Sequence, residues 1–187
     1  MSRHISSYIL MAMLLMLTGR ASAQIIAVNT DVVSDACLAP SLGVELGMSS
    51  RSTLSLNALH GSNILGKDIK LTAVQPEWRF YFSGRPMYHH FVGIGFIGAS
   101  YDMKVDDRLY NGDGVGAGVT FGYVLPLGSH WNIDFHAGCG AFLYRQKEYH
   151  INEDYTKYLE DGREVANSHG TSIVPTRIGI SISYIIK

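Results

Sequence analysis

Beyond its first two dozen residues the chain alternates apolar and polar positions with a period of two, segment after segment, with turn residues between the segments. No stretch there keeps a helical period. Alternation of period two is what a strand with one apolar face requires. The pattern predicts strands over 25–33, 41–49, 53–60, 71–82, 90–103, 114–125, 130–145 and 173–186. An even number of strands returns both chain ends to one side, and closing them into a ring leaves no strand edge exposed. The expected fold is all-β, a closed antiparallel up-and-down transmembrane barrel of about eight strands.

The two faces of the strands differ in a way that separates a membrane barrel from a soluble one. In 114–125 one face carries Val115, Ala117, Val119, Phe121, Tyr123 and Leu125, and the other Gly114, Gly116, Gly118, Thr120 and Gly122. Residues 131–143 set Trp131, Ile133, Phe135, Ala137, Cys139, Ala141 and Leu143 against Asn132, Asp134, His136, Gly138 and Gly140. A lipocalin-like barrel turns its polar face to water and carries long charged side chains there. Here that face is mostly Gly, Ser, Asn and Thr, and Lys67, Lys70, Lys104, Lys147, Lys157 and Lys187 fall in predicted loops or at strand or chain ends. Small residues suit the crowded interior of a narrow barrel, and the apolar face then meets lipid.

The connections alternate in length. Those at 49–52, 83–89 and 127–129 are short, whereas 61–70, 104–113 and 146–171 are longer and more polar. Outer-membrane barrels combine short periplasmic turns with longer outer loops, so an N-terminus in the periplasm places every short turn inside. The connection over 34–40 is short for an outer loop. Phe82, Phe91, Tyr123, Trp131 and Tyr184 at the predicted periplasmic ends fit an interfacial aromatic girdle.

The first residues account for how such a chain reaches an envelope. Arg3 and His4 precede an apolar run from Ile9 to Leu17, and Ala21, Ser22 and Ala23 form a small-residue cleavage pattern. Residues 1–23 are expected to be a signal peptide and 24–187 the barrel domain. Removing Arg3 and Arg20 lowers the basic count from 15 to 13 against 16 acidic residues, a net charge near −3 that gives no sign of nucleic-acid binding. Cys37 falls in a loop and Cys139 in mid-strand, an arrangement that argues against their pairing.

Candidate chemistry sits on the polar face. Val74, Pro76, Trp78, Phe80 and Phe82 point outward, which turns Gln75, Glu77, Arg79 and Tyr81 into the lumen; Glu45, Asp134, His136 and Arg177 have the same inward parity. In a narrow lumen filled by side chains, charges must pair to survive the loss of water, so a salt-bridged plug is favoured over an ion path or active site. Asp134 and His136 form an acid/base candidate without a nucleophile motif, and His89 and His90 match no metal-ligand spacing. No cofactor is expected. The glycines at 112, 114, 116 and 118 resemble a phosphate loop but have no lysine and no following helix. Tyr149, Tyr155 and Tyr158 stand in a charged loop and form a candidate partner-binding surface, since tyrosine offers large contact area at low entropic cost.

Several short runs, in order, resemble the Bacteroides-type outer-membrane proteins grouped as domain of unknown function 3575. They are Asn29-Thr30 with Pro40-Ser41-Leu42-Gly43-Val44-Glu45, Val74-Gln75-Pro76-Glu77 followed by Arg79, and His90-Phe91-Val92-Gly93. Gly116-Ala117-Gly118-Val119 with Gly122-Tyr123, then Trp131-Asn132-Ile133 and Pro175-Thr176, complete the set. The resemblance implies an outer-membrane barrel of unassigned activity, sometimes encoded near fimbrial or other surface-assembly genes, and it transfers no catalytic residue. Val174 stands where such proteins usually have Gly, Asp31 interrupts a stretch that is usually apolar, and the C-terminus lacks the terminal aromatic of many barrels.

The expected function is therefore a non-enzymatic outer-membrane barrel in contact with lipid, acting in envelope structure or surface assembly through its outer loops, with a fimbrial protein as a partner of the kind the resemblance implies. The alternatives are a barrel enzyme acting on envelope lipid or peptide and a soluble periplasmic ligand binder.

Overall fold

The computed structural model describes residues 25–105, 108–150, 159–160, 163–164 and 168–186. The expected signal peptide, Tyr155 and Tyr158 lie outside them. Among the described residues ten strands form: β1 (Ile26–Asp31), β2 (Ser41–Gly47), β3 (Ser52–Gly61), β4 (Ile69–Tyr81), β5 (His89–Val105), β6 (Arg108–Pro126), β7 (Trp131–His150), β8 (Leu159–Glu160), β9 (Arg163–Glu164) and β10 (Ser168–Ile186). β8 and β9 pair only with each other, and the other eight close into an antiparallel barrel in the order β1-β10-β7-β6-β5-β4-β3-β2. Each barrel strand lies beside its neighbour in sequence, and β1 seals the ring by pairing with both β2 and β10.

The side chains sort as the alternation requires, with the polarity of a water-soluble protein reversed. Outside, Phe96, Val115, Phe121, Trp131, Leu143 and Ile178 are among the exposed large apolar residues. Inside, Glu45, Thr53, Ser55, Glu77, Arg79, Asp134, His136 and Ser181 are buried. The buried apolar cluster is small, Tyr81, Phe91 and Val124. Burial here therefore does not follow the usual preference for apolar residues inside. Along β6 the outward apolar run from Val115 to Leu125 matches the roughly 9–11 residues that a tilted strand needs to cross a bilayer core.

Three expectations need correction. Residues 104–105, 108–113 and both ends of 146–171 are strand, not loop: β5 and β6 pair out to Val105 and Arg108, β6 and β7 out to Arg108 and His150, and β7 and β10 out to Gln146 and Ser168. Above Phe96, Val115 and Leu143 the outward positions become Ser100, Asp102, Asp113 and Arg145, so the hydropathy contrast ends while the backbone ladder continues. Lys70, Lys104 and Lys147 accordingly stand in strands, at their ends farther from the short turns. With β5, β6, β7 and β10 running 17, 19, 20 and 19 residues against 6 and 7 for β1 and β2, one side of the barrel rises as a tall four-stranded wall.

Second, Val32 and Val33 do not extend β1. Asp31 ends the strand and caps a short helix, α1 (Val32–Ala36), by accepting a hydrogen bond from the Ser34 amide at 2.9 Å. Asp35 then ties the helix to the barrel rim through the Ser41 amide at 2.8 Å and the Thr30 hydroxyl at 2.6 Å. Third, Phe91 faces inward, 1% exposed against Tyr81, while Phe82, Trp131 and Tyr184 remain on the outer rim. Both faces of β5 are free of polar residues from Phe91 to Ile97, so alternation carries no signal there.

Candidate functional site

The inward positions of β2, β4, β7 and β10 place their charged residues at one level of the lumen. Arg79 is the hub, with Nη1 3.1 Å from Glu45 Oε2 and 2.7 Å from Asp134 Oδ2, and Nε 2.8 Å from Glu77 Oε2. Its guanidinium lies over the Phe91 ring, 4.5 Å from the centroid. Arg177 Nη1 reaches the same Glu77 Oε2 at 2.9 Å. The Tyr81 and Thr53 hydroxyls donate to Glu45 Oε1 at 2.7 and 2.6 Å. Such pairing offsets the several kcal/mol that each buried ion loses with its water.

Asp31, which the pattern of strands did not single out, joins this network. Its Oδ2 is 3.0 Å from His136 Nε2, and His136 Nδ1 is 3.6 Å from Asp134 Oδ1, although neither imidazole nitrogen makes an aligned hydrogen bond. Asp31 thus caps α1 with one oxygen and faces the lumen histidine with the other. Four carboxylates, Asp31, Glu45, Glu77 and Asp134, meet two guanidiniums, Arg79 and Arg177, with the His136 ring between two of the carboxylates. Space for these side chains comes from glycine: a methyl group at Gly43 or Gly179 would strike Asn29 or Asp31.

Gln75 and Thr176 belong to a neighbouring part of the lumen. Gln75 Nε2 donates to the Thr176 carbonyl at 2.7 Å. Thr176 is the extra residue of a bulge, since Pro175 pairs with Cys139 and Arg177 with Gly138. A bulge inserts one unpaired residue and re-aims the side chains around it. The switch was present in the sequence as a change of apolar parity, odd at Ile173 and Pro175 and even at Ile178, Ile180 and Ile182.

The catalytic candidates are placed as follows. Asp134 Oδ2 is committed to Arg79, and the His136 side chain has no exposed surface. Ser181, opposite Asp134 on β10, is 1% exposed, and its Oγ makes no hydrogen bond. This arrangement pairs the charge of Asp134 and buries His136. His89 and His90 both contact the Tyr123 ring, at 5.6 and 4.7 Å between centroids, because His89 adopts a left-handed φ of 57°. Among the described residues no group of three His, Cys, Asp or Glu has the arrangement to hold a metal ion. Cys37 and Cys139 are free. Of the candidate partner loop, Tyr149 lies in β7, where its backbone pairs with Leu109 of β6.

These features define a class: small closed antiparallel barrels of eight strands with an apolar exterior and a charge-paired interior. Within it, the chain matches over residues 9–186 the family described as Protein of unknown function (DUF3575), and it belongs to that family. No curated protein and no solved structure matches it.

Proposed function

We propose that this chain is a non-enzymatic outer-membrane barrel that spans the bilayer with its closed ring and presents its tall wall to a surface-assembly partner on the cell exterior. The observation that carries the reading is the reversed polarity: large apolar side chains outside, paired charges inside. In water such an exterior would be a contiguous apolar surface well beyond what soluble monomers expose. In lipid it is the required solvent-facing belt, and a closed ring satisfies the backbone groups that the bilayer cannot.

The short turns over 48–51, 82–88 and 127–130 contain no Asp or Glu, whereas the opposite ends of the strands carry Asp35, Asp68, Asp102 and Asp113. The rim at the short turns, with Trp131 and Tyr184 at 4.9 Å between ring centroids, forms the periplasmic interface in this orientation. The paired lumen blocks the pore, which leaves the β5–β6–β7–β10 wall and residues 151–167, between β7 and β10, as the surface for recognition.

Membrane fractionation with unboiled and boiled gel samples tests the reading. Outer-membrane recovery with faster migration of the unboiled chain is expected; an aqueous, unshifted protein overturns it. Replacing residues 151–167 by a short Gly-Ser linker should leave migration unchanged and remove crosslinked surface partners. An unchanged crosslinking pattern removes the role in recognition while leaving the barrel in place.

A further inference from the structure

One edge of the tall wall is left open. β10 pairs with β7 from Ser168 to Tyr184, but β1 covers its other edge only from Ser181 to Ile186. Beyond Asp31, the partner of Ser181, the chain turns away into α1, and among the described residues no strand lies beside 168–180 on that side. The opposite flank of the wall is covered, since β4 follows β5 as far as Met103. Thr171, Ser172 and Ile173 are exposed in succession, although neighbouring side chains of a strand point to opposite faces. Ile173, at 84%, is the most exposed large apolar residue among those described.

In a strand with one neighbour, every second residue turns its N–H and C=O away from the ladder. Such edges are normally blunted by lysine, proline, a bulge or brevity. Residues 168–174 contain no Lys, Arg, Asp, Glu or Pro, and the first such device is Pro175 with the bulge at Thr176. The run is long enough for a strand of ordinary length, about 5–6 residues. Its lower part stands beside lipid in the membrane-spanning reading, because Thr171 and Ile173 pair with Leu143 and Ala141 at the top of the outward apolar run of β7. Backbone groups left unsatisfied against hydrocarbon cost several kcal/mol each, so an open edge does not persist there. An extended backbone supplies the alternating donors and acceptors that complete it. A second copy of the chain does not fit: barrels in one membrane point the same way, and β10 strands tilted by about 35–45° would cross at roughly 70–90°, too steep for a ladder. The outward row across β6, β7 and β10 reads Asp113, Arg145 and His169, so an acidic residue next in the row continues it best.

We infer that the open edge of β10 over 168–174 is a strand-addition site, which takes an extended, acid-bearing segment of a partner polypeptide at the cell surface. The inference rests on the proposed role in surface recognition and says which part of the wall recognises. Apolar or β-branched side chains of the added strand lie beside Thr171 and Ile173 and continue the belt, and its acidic residue lies beside His169.

Amide hydrogen exchange of the full-length protein, refolded in phospholipid vesicles, reads the edge directly. Those amides of 168–174 that are not bonded to β7 should exchange fast in the free protein. A synthetic peptide alternating Val and Thr, with one Glu, should slow them at least about tenfold at saturation. The same peptide N-methylated throughout keeps its side chains but cannot pair, and should give no protection. Ile173→Lys, a charge at an exposed edge position, should abolish protection and leave migration heat-shifted. Equal protection by the methylated peptide, or none by the unmethylated one, overturns the inference. Slow exchange at these amides in the free protein overturns it too, and a return to fast exchange when 151–167 are replaced by the linker would make the chain's own segment the occupant. Migration of the same unboiled sample separates the outcomes: heat-shifted migration without protection sinks only the strand-addition site, whereas unshifted migration sinks the membrane reading with it.

Discussion

Replacing Arg79 by Met asks directly what holds the lumen together. The guanidinium is 1% exposed and serves Glu45, Glu77 and Asp134, each no more than about 4% exposed at the side chain. Methionine keeps much of the volume and the contact with Phe91 but removes the charge. Glu77 then retains Arg177, and Glu45 retains the hydroxyls of Tyr81 and Thr53, whereas Asp134 is left facing His136 at 3.6 Å. Removing one partner of a buried ion network costs about 3–5 kcal/mol, because the remaining charges stay buried and unpaired. Folding stabilities lie near 5–15 kcal/mol, so the loss is a large fraction of the whole. Urea titration in phospholipid vesicles, followed by the fraction of heat-modifiable protein, measures it. The triple change Arg79→Met, Glu45→Gln and Asp134→Asn should recover most of the stability, since neutral polar groups need no counter-charge. A loss below about 1 kcal/mol for the single variant, or no recovery in the triple, would refute the idea that charge pairing determines the stability of the plug.

The remaining predictions use other parts of the barrel. Gly140→Ala should destabilise by about 1–3 kcal/mol, because its methyl group meets the Ala117 carbonyl of the neighbouring backbone, whereas Gly98→Ala, with open space around it, should stay within about 0.5 kcal/mol; the same urea titration separates them. Asp31→Ala removes the cap of α1 and the group facing His136, and should cost about 0.5–2 kcal/mol or somewhat more, with faster amide exchange at Ser34 as the local signature. In vesicles, a water-soluble maleimide should label Cys37 and spare Cys139, which stands on the outward face in mid-strand; equal labelling of both would contradict the lipid belt.

The sequence makes the ring legible wherever its outward face is apolar, because only there does alternation separate the two sides. That condition holds from Val115 to Leu125 and from Trp131 to Leu143, and the strands found there agree with the pattern. It fails in the tall wall, where Asp102, Asp113 and Arg145 point outward and the strands continue on backbone pairing alone. It fails again near Phe91, where neither face is polar, and at α1, where two β-branched residues after a strand conceal a capped helix turn. The charged residues of the lumen are legible from inward parity on their own strands. Their convergence on Arg79 is not, since barrel stagger decides which strands meet at one height.

Pro76 and Thr176 show how two local irregularities acquire a joint meaning only in the closed ring. Each is readable alone: a proline within an alternating run, and a change in apolar parity after Pro175. They are 100 positions apart in sequence, yet the Gln75 amide beside one bonds the Thr176 carbonyl of the other at 2.7 Å across the lumen. The proline interrupts the β4–β5 hydrogen bonds for two residues without shifting the register, and the bulge sets the Thr176 hydroxyl beside Gly118. Side chains at both irregular positions thus line one part of the lumen, with Glu77 and Arg177 beside them.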